Sequence, residues 1–489
     1  MFFSRPSFYN IVFFRLYLKK TYAGRLLVFL SCRKSNNLLR CVIMEPRVFI
    51  KYMKLLTASF VAAFVVLTVC LGAATSAQDF DGLHSAGNGI DIDTHGRILP
   101  LSKEKSEALG KMMEELLEPL PESLDKKVTR RTISLKKLDT QVENIVEQFE
   151  VLPDSIRYLG GLTSIDYIVL VPEKNDILLV GPAEGWRSDA AGNVVGSQSG
   201  LPVLLFEDFL TALRLWNQSA VRSLVCTIEP TPETQAALAR LHRQFTSITA
   251  DNADAYSAAL EEAYGDVPIK LTGVPESSRT ARILVAADLK MKRIAFGLES
   301  SQIRNIPSYV GLISTNRPGN PPQFWLTSEY TATAHDSRKL TWRLGDVKIR
   351  VSSRATGGID RAALTWCRSL EENYDALVRA QPVFGELRNT MTLSLAAALI
   401  HQENLLQRTN CTLPFLLDES NLKLLAHPVP RSVEYRSVKS RNGFLTIVAC
   451  GGVEISPLAA LRNNMRLDSR IDSERTKLLQ VSGEEWWSQ

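Results

Sequence analysis

The stretch Ile165-Asp-Tyr-Ile-Val-Leu-Val-Pro-Glu-Lys-Asn-Asp-Ile-Leu-Leu-Val180 decides the fold class, because it joins two runs of strand-forming residues through a polar turn. The runs Ile165–Val171 and Ile177–Val180 are rich in β-branched residues, and the five residues between them include Pro172 and Asn175. This pattern is typical of a β-hairpin.

Helical signals flank this hairpin. From Ser134 to Pro153, apolar residues recur at helical spacing. Further along, Asp360–Arg379 and Pro382–Leu406 are predicted to form an antiparallel helical hairpin, while Gln323–Thr333 alternates like a strand. The irregular order of strands and helices favours an α+β fold: mixed short-stranded sheets packed with helices, plus a helical hairpin in the C-terminal third.

Several shorter assignments complete this prediction. The pattern favours a helix over Thr280–Asp288, because Ile283, Leu284 and Ala287 stack, and a strand over Lys292–Gly297. A strand is expected at Val203–Phe206. A last strand at Phe444–Ala449 is expected to close at the turn Gly451-Gly452.

The chain divides by composition into seven segments. They are a basic arm or gene-model extension at 1–43, a signal peptide or membrane anchor at 44–77, a linker with a charged helix at 78–130, an α+β domain at 131–300, a loop at 301–322, a second α+β region with the helical hairpin at 323–455 and a polar tail at 456–489 that is expected to be frayed from about Asp468.

The strongest targeting signal lies near the N-terminus. Lys51 and Lys54 precede an uncharged apolar run at 55–74, and small residues then lead to a cleavage site between Ala77 and Gln78. The run is also long enough to span a bilayer if it is not removed. The sequence therefore predicts a secreted or periplasmic protein, or a membrane-anchored one with its body outside the cytoplasm.

The positive formal charge of +5 comes from the N-terminal segments. Residues 1–43 carry eight Lys and Arg and no acid, whereas the chain from Gln78 onward has a net charge of −5. Translation from Met44 or Met53 would leave the basic segment out. The acidic body argues against non-specific nucleic-acid binding, which needs clustered positive charge.

Four cysteines follow the cleavage site: Cys226, Cys367, Cys411 and Cys450. Outside the cytosol they allow up to two disulfides. Cys411 and Cys450 are favoured as a pair because they lie in the same C-terminal stretch. The alternative is that all four are buried free thiols that pack as small apolar residues.

Several strings of the chain are distinctive. They are Ile156-Arg-Tyr-Leu-Gly-Gly-Leu162, Gly181-Pro-Ala-Glu-Gly-Trp186, Gly273-Val-Pro-Glu-Ser-Ser-Arg279, Ala287-Asp-Leu-Lys-Met-Lys-Arg-Ile294, Asn373-Tyr-Asp375 and Pro382-Val-Phe-Gly-Glu-Leu-Arg388. In these strings the chain resembles an exported family of unknown function typical of planctomycetes, over roughly residues 130–455. The resemblance implies export and one shared architecture, and it implies no activity.

The loop Gly181–Trp186 is the first candidate binding site. It places Glu184 and Trp186 between glycines after a hairpin, where a carboxylate beside an aromatic ring suits a sugar or a peptide. The alternative is a tight turn anchored by a buried tryptophan.

Other candidates have simpler structural interpretations. His335-Asp336-Ser337 has the residue types of a catalytic triad, but consecutive residues cannot form one, and a hairpin turn is expected. Glu207-Asp208 could be paired acid–base carboxylates, but capping of the following helix explains them better. Asp91, Asp93 and Gly96 begin like a calcium loop that Ser102 fails to complete. No metal or cofactor is predicted.

Two functions remain open. The first is a non-enzymatic envelope or secreted protein that binds a partner, either an envelope protein or a polymer. The second is an extracytoplasmic hydrolase with a carboxylate- or histidine-based site that uses Glu184, Asp208 or His335. A deep polar pocket that gathers two or more titratable groups with shifted pKa values would favour the enzyme, and a broad apolar patch on a pocketless surface would favour the binding protein.

Overall fold

The fold is given by a computed structural model. It describes residues 90–92, 96–148, 150–218, 221–246, 249, 251–313, 322–354, 359–434, 451–480 and 485–489, and the backbone of strands at 14–20, 26–32, 42–44, 438–440 and 443–445.

The chain forms two units, Met1–Gly82 and Leu83–Gln489. In the first, three antiparallel strands form a sheet in the order β1-β2-β3. These strands are β1 (Phe14–Lys20), β2 (Leu26–Cys32) and β3 (Val42–Met44).

The second unit contains the remaining strands. They are β4 (Ile90–Ile92), β5 (Ile98–Pro100), β6 (Val128–Ser134), β7 (Tyr167–Val171), β8 (Asp176–Ala183), β9 (Trp186–Ser188), β10 (Val194–Gly196), β11 (Leu224–Ile228), β12 (Asp266–Thr272), β13 (Gln323–Tyr330), β14 (Thr333–His335), β15 (Thr341–Arg343), β16 (Val347–Arg354), β17 (Ser432–Glu434), β18 (Val438–Ser440), β19 (Gly443–Leu445), β20 (Gly451–Ile455), β21 (Met465–Leu467) and β22 (Trp487–Ser488).

Helices are interspersed among these strands. They are α1 (Lys103–Leu116), α2 (Glu122–Asp125), α3 (Leu135–Glu147), α4 (Asp154–Arg157), α5 (Phe206–Trp216), α6 (Pro232–Gln244), α7 (Ala253–Tyr264), α8 (Arg279–Ala295), α9 (Tyr309–Leu312), α10 (Arg361–Glu372), α11 (Tyr374–Ala380), α12 (Pro382–Gln402), α13 (Leu405–Arg408), α14 (Pro414–Leu417), α15 (Pro457–Asn464) and α16 (Arg470–Leu478). The architecture is α+β, as the sequence predicts.

Two mixed sheets organise this unit. A six-stranded sheet has the order β16-β13-β20-β11-β12-β17, and it is antiparallel except between β13 and β20. A seven-stranded sheet has the order β21-β14-β15-β7-β8-β6-β22, and only β14 and β21 are parallel. Strands from both of the predicted α+β regions therefore share each sheet.

The hairpin predicted at residues 165–180 forms the centre of the seven-stranded sheet. Strands β7 and β8 pair antiparallel, with Val171 opposite Asp176, and Asn175 takes a left-handed conformation at the turn. The preceding helix α3 begins after Ser134, whose hydroxyl accepts a hydrogen bond from the Lys137 amide at 3.1 Å. The predicted hairpin and the predicted start of the helix at Ser134 are therefore confirmed.

Helix α8 lies inside the unit and packs against strands β11, β13 and β20 on one side and helices α5 and α12 on others. It includes the predicted helix over Thr280–Asp288, but it continues to Ala295 and so replaces the strand predicted at Lys292–Gly297. That strand prediction was wrong because a short apolar run does not distinguish a strand from a helix buried on all sides. Gly297, at φ +69°, follows the helix.

One further strand prediction, at Val203–Phe206, and the turn predicted at Gly451-Gly452 were wrong, whereas the strand predicted at Phe444–Ala449 overlaps β19. Residues 203–205 form no strand, and helix α5 begins at Phe206. Gly451 and Gly452 lie within strand β20, not in a turn, while 446–450 lie outside the described residues. A side chain at Gly451 would overlap the carbonyl oxygen of Phe324, so glycine is what allows β20 to pack between its neighbours.

The C-terminal segment, expected to be frayed, is part of the fold. Strand β22 pairs with β6, and the Arg475 guanidinium of α16 donates to the carbonyl of Leu170 at 2.7 Å and to that of Leu340 at 2.9 Å. Buried arginine hydrogen bonds therefore hold this polar helix against the seven-stranded sheet.

The predicted helical hairpin is found as successive helices. Its first segment is broken at Asn373 into α10 and α11, and α12 follows from Pro382. Helix α10 packs on strand β16, whereas α12 packs most extensively on α5.

The predicted signal segment at 55–74, with its cleavage site at Ala77 and Gln78, lies outside the described residues. Among the helices that the structure describes, none is both long enough and apolar enough to cross a membrane.

Candidate ligand-binding site

A polar cleft of about 620 Å³ opens where the seven-stranded sheet meets the first half of helix α12. We define the polar cleft by its five charged residues, Asp166, Asp346, Arg343, Arg388 and Arg466. Its volume is in the range of small-molecule sites. The chain segments that contribute these residues are far apart in sequence, and the fold brings them together.

The backbone fixes the two carboxylate-bearing residues. Asp166 accepts through its carbonyl from the Leu344 amide at 2.8 Å, which continues the pairing of β7 with β15. Asp346 donates its amide to the Thr331 hydroxyl at 2.7 Å, and its carbonyl accepts from the Thr331 amide at 3.0 Å. Gly345 lies so close to Thr331 that a side chain there would overlap its carbonyl. Both aspartates are therefore held on rigid backbone.

The three arginines reach the cleft from other elements. Arg343 ends β15 and pairs with Asp468 at 3.3 Å, and Arg388 of α12 pairs with Asp375 at 2.8 Å. Arg466, on strand β21, is exposed. The cleft thus presents guanidinium groups, which bind carboxylates and phosphates bidentately.

The environment of Asp166 raises its pKa above the ordinary value. Desolvation in the cleft raises the pKa of Asp166, and the charge of Asp346 raises it further, while Arg130 and a hydrogen bond from Ser164 act in the opposite direction. Perturbed carboxylates in clefts are common at functional sites.

A second group of charges is buried where the first turns of α5, α8 and α12 meet. Arg279 forms ion pairs with both Asp208 and Glu386. On the same helix as Asp208, Glu207 contacts Nε2 of His427 at 2.5 Å. We call these five residues the ionic cluster. The side chains of Arg279, Asp208 and Glu386 are 13%, 4% and 10% exposed, so the cluster ties three helices together inside the protein.

The ionic cluster shifts two pKa values. Burial raises the pKa of Asp208 to about 6, although Arg279 opposes this. Burial lowers the pKa of Arg279, but the carboxylates of Asp208 and Glu386 outweigh it and hold the pKa above the ordinary value. Arg279 therefore stays charged, whereas Asp208 changes its protonation near neutral pH.

This shift predicts a pH-dependent effect of Asp208→Asn. Between about pH 4 and pH 6 the folded state holds the Asp208 proton that the unfolded chain releases, so the contribution of Asp208 to stability falls as the pH rises. Asparagine does not titrate. In urea unfolding, the stability advantage of the wild type over Asp208→Asn is expected to be larger at pH 4 than at pH 7.

Asp375→Asn serves as the control, because the Asp375 side chain is 83% exposed. A stability difference between the wild type and Asp208→Asn that stays constant from pH 4 to pH 7 would contradict the prediction.

The predicted pair Glu184 and Trp186 lies inside the protein. The Glu184 side chain accepts hydrogen bonds from the hydroxyl of Ser199 and from the amides of Gln198 and Ser199, and the residue is 1% exposed. Trp186 is also buried, and its ring lies 5.5 Å from that of Tyr158. This is the geometry of a turn anchored by a buried tryptophan, and the ligand-binding role stays a prediction without support from the geometry.

The other sequence candidates are placed as follows. His335-Asp336-Ser337 lies at a turn, where the buried Asp336 carboxylate accepts from the Leu340 amide at 2.6 Å and no relay of three side chains forms. Capping by Glu207 or Asp208 was a wrong prediction. The N-cap of α5 is Leu205, whose apolar side chain cannot accept a hydrogen bond, and both acids lie in the first turn of the helix, where Asp208 pairs with Arg279 and Glu207 with His427.

Three cysteines, Cys226, Cys367 and Cys411, are free and buried. Burial raises the pKa of both the Cys367 and the Cys411 thiol to about 12, which makes them poor nucleophiles. Cys450 lies outside the described residues. The pairing of Cys411 with Cys450 therefore stays a prediction, and the structure has Cys411 as a thiol.

No cluster of three or more His, Cys, Asp or Glu able to hold a metal ion is found in the part of the chain that the structure describes. Of the calcium-like start, Asp91 and Gly96 are described: Asp91 pairs with Lys105, and Asp93 lies outside the described residues.

Sequence reasoning missed the polar cleft altogether. Asp166 and Asp346 each belong to unremarkable local sequence, at a strand start and in a turn. One weak signal existed for the ionic cluster: Arg279 and Glu386 both lie in the distinctive strings that end at Arg279 and Arg388.

The fold and site define an α+β protein with a polar cleft beside a mixed sheet. Residues 226–309 match the model of a family described as a protein of unknown function, DUF1598. No curated protein and no solved structure matches the chain.

This DUF1598 domain runs from Cys226 in β11 to Tyr309 in α9 and includes all of α8 with Arg279. The predicted resemblance to a family of unknown function is confirmed for this range, which is shorter than the expected 130–455. The charged residues of the polar cleft lie outside it. That this family is exported and typical of planctomycetes stays a prediction.

Proposed function

We propose that this chain is an exported, non-enzymatic binding protein whose polar cleft takes a small polar ligand. The single observation that carries the proposal is the cleft itself: about 620 Å³ in volume, with side chains of both charge signs on rigid backbone. Export rests on the signal-like residues 44–77. A small polar ligand replaces the envelope protein or polymer expected from sequence.

The exposed apolar side chains support this choice over a protein-docking surface. Val151, Leu364 and Leu467 are among the large apolar residues that the described part of the chain exposes, and they come from a loop, from helix α10 and from strand β21. A docking surface for another protein usually gathers such residues into one contiguous patch.

Filling the polar cleft is expected to abolish ligand binding. Ala332 lines the cleft and is half-buried, so Ala332→Trp would occupy the space that the ligand needs. We expect at least one member of a panel of amino acids, dipeptides, sugars and dicarboxylates to raise the melting temperature of the wild type by a few degrees at about 100 times its Kd. The Ala332→Trp variant should show no such shift.

The matched control is Ala236→Trp, on the exposed face of α6, which should respond like the wild type. Circular dichroism of the ligand-free variants would establish that both fold. If no panel member shifts the wild type, or if Ala332→Trp responds like the wild type, the proposal fails.

A hydrolase is the second candidate, because the raised pKa of Asp166 beside Asp346 suits a general acid next to a carboxylate. This differs from the residues suggested by sequence: Glu184 is engaged inside, Asp208 is ion-paired and His335 contacts its own turn at 2.8 Å. Product release from a glycoside or peptide panel by the wild type, lost in both Asp166→Asn and Asp346→Asn, would favour this second function.

A further inference from the structure

We infer that the polar cleft selects ligands that carry both an ammonium group and a carboxylate, as free amino acids and short peptides with free termini do. This inference rests on the proposed binding function of the same cleft and names its ligand class. It follows from which charged side chains of the cleft form ion pairs and which do not.

Among the described residues, no cation forms an ion pair with the acidic side of the cleft. In the described part of the chain, no Lys, Arg or His lies within ion-pair distance of the Asp346 or Asp166 carboxylate. Arg130, whose charge acts on Asp166, is engaged with Glu474 at 2.5 Å and stacks over Tyr167 at 5.7 Å. Two neighbouring carboxylates without a cation provide a place for a ligand ammonium group.

The basic side is neutralised only weakly. Arg388 pairs with Asp375, whose side chain is 83% exposed, and exposed pairs contribute little. Arg343 shares Asp468 with Arg470, which lies 2.9 Å from the same carboxylate. Ligand carboxylate oxygens can therefore compete for these guanidinium groups at low cost.

The two sides do not neutralise each other. Within the described residues, no ion pair joins Asp166 or Asp346 to Arg343, Arg388 or Arg466, although all five line one cleft. The space between them suits a dipolar ligand. A ligand with only negative charge would be repelled by the aspartates, and a ligand with only positive charge by the arginines.

The test uses four forms of one dipeptide, L-alanyl-L-alanine, in isothermal titration calorimetry with the full chain. The forms are the free dipeptide, its N-acetyl derivative, its C-terminal amide and the doubly blocked molecule. Because a hydrogen-bonded charged group contributes substantially, we expect each single block to weaken binding by about tenfold or more. Titration with free L-alanine then shows whether a single amino acid is enough for binding or a peptide is needed.

Variants assign each end of the ligand. Asp346→Asn should bind the free and N-acetyl forms almost equally, and Arg388→Met should bind the free and amide forms almost equally. Asp375→Asn should bind the free form as tightly as the wild type or more tightly, because it removes the competitor of Arg388. Asp251→Asn, in an exposed turn, is the control. If Asp346→Asn does not fold, Asp166→Asn replaces it.

The outcomes separate the two proposals. Equal affinity for all four forms, or tighter binding of a singly blocked form, overturns the ligand class. If neither L-alanine nor any dipeptide form binds, and the panel members that need the open cleft are all sugars or dicarboxylates, the ligand class fails and the binding function stands. If nothing in the panel binds, both fail.

Discussion

Replacing Arg279 with methionine is expected to lower the free energy of unfolding by about 3–5 kcal/mol. Arg279 is the shared partner of two buried carboxylates, those of Asp208 and Glu386. Without it, both acids remain inside the protein near each other and without their guanidinium partner. Urea unfolding followed by circular dichroism at pH 7 measures the change.

The matched control is Arg361→Met. Arg361 is also the first residue of a helix, α10, but it is exposed. The same substitution at the same helix position should cost less than about 1 kcal/mol, since changes at exposed sites are usually small. Similar losses for the two variants would show that the ionic cluster does not stabilise the fold as described.

Gly451→Ala is expected to prevent normal folding or to lower the free energy of unfolding by more than about 3 kcal/mol. Gly451 has φ +118° and lies in the strand between β11 and β13, where a Cβ would overlap the Phe324 carbonyl oxygen. That oxygen belongs to the backbone of a central strand, so it cannot move away without disturbing the sheet. Soluble yield and urea unfolding report the effect.

Gly200→Ala separates backbone strain from overlap. Gly200 also has a positive φ, +66°, but no atom lies within 4 Å of the position of an added Cβ. We expect this variant to lose only the strain of a left-handed alanine, about 1–2 kcal/mol. If Gly200→Ala destabilises as much as Gly451→Ala, the packing of β20 is not the reason for the glycine.

The parts of the fold that the sequence predicts are those with local causes. The hairpin at 165–180 has its strands, turn and loop length within sixteen residues, and the Ser134 cap acts across three. By contrast, whether residues 292–297 form a strand or a helix depends on the elements that pack around them. A helix buried on all sides loses the polar face by which its period is recognised.

Local sequence patterns could not indicate the candidate site either, because its residues come together only in the folded chain. The ion pair between Arg279 and Glu386 joins residues 107 positions apart, and the hydrogen bond from Leu344 to Asp166 closes the cleft across an even longer stretch of chain. No spacing in one sequence indicates such pairs. The acids at the start of α5 have the pattern of a helix cap, and only the position of α8 shows that one of them, Asp208, pairs with an arginine.

The position of β20 makes completion of the six-stranded sheet depend on a segment late in the chain. This strand comes from residues 451–455 but lies between β11 and β13, so the six-stranded sheet has a gap at its centre until that late segment is available. Pairing between such distant segments is slow. A newly made chain would thus remain open while most of its length is synthesised. If the predicted export occurs by a route that threads unfolded polypeptide, delayed closure of this sheet would keep the chain competent for passage.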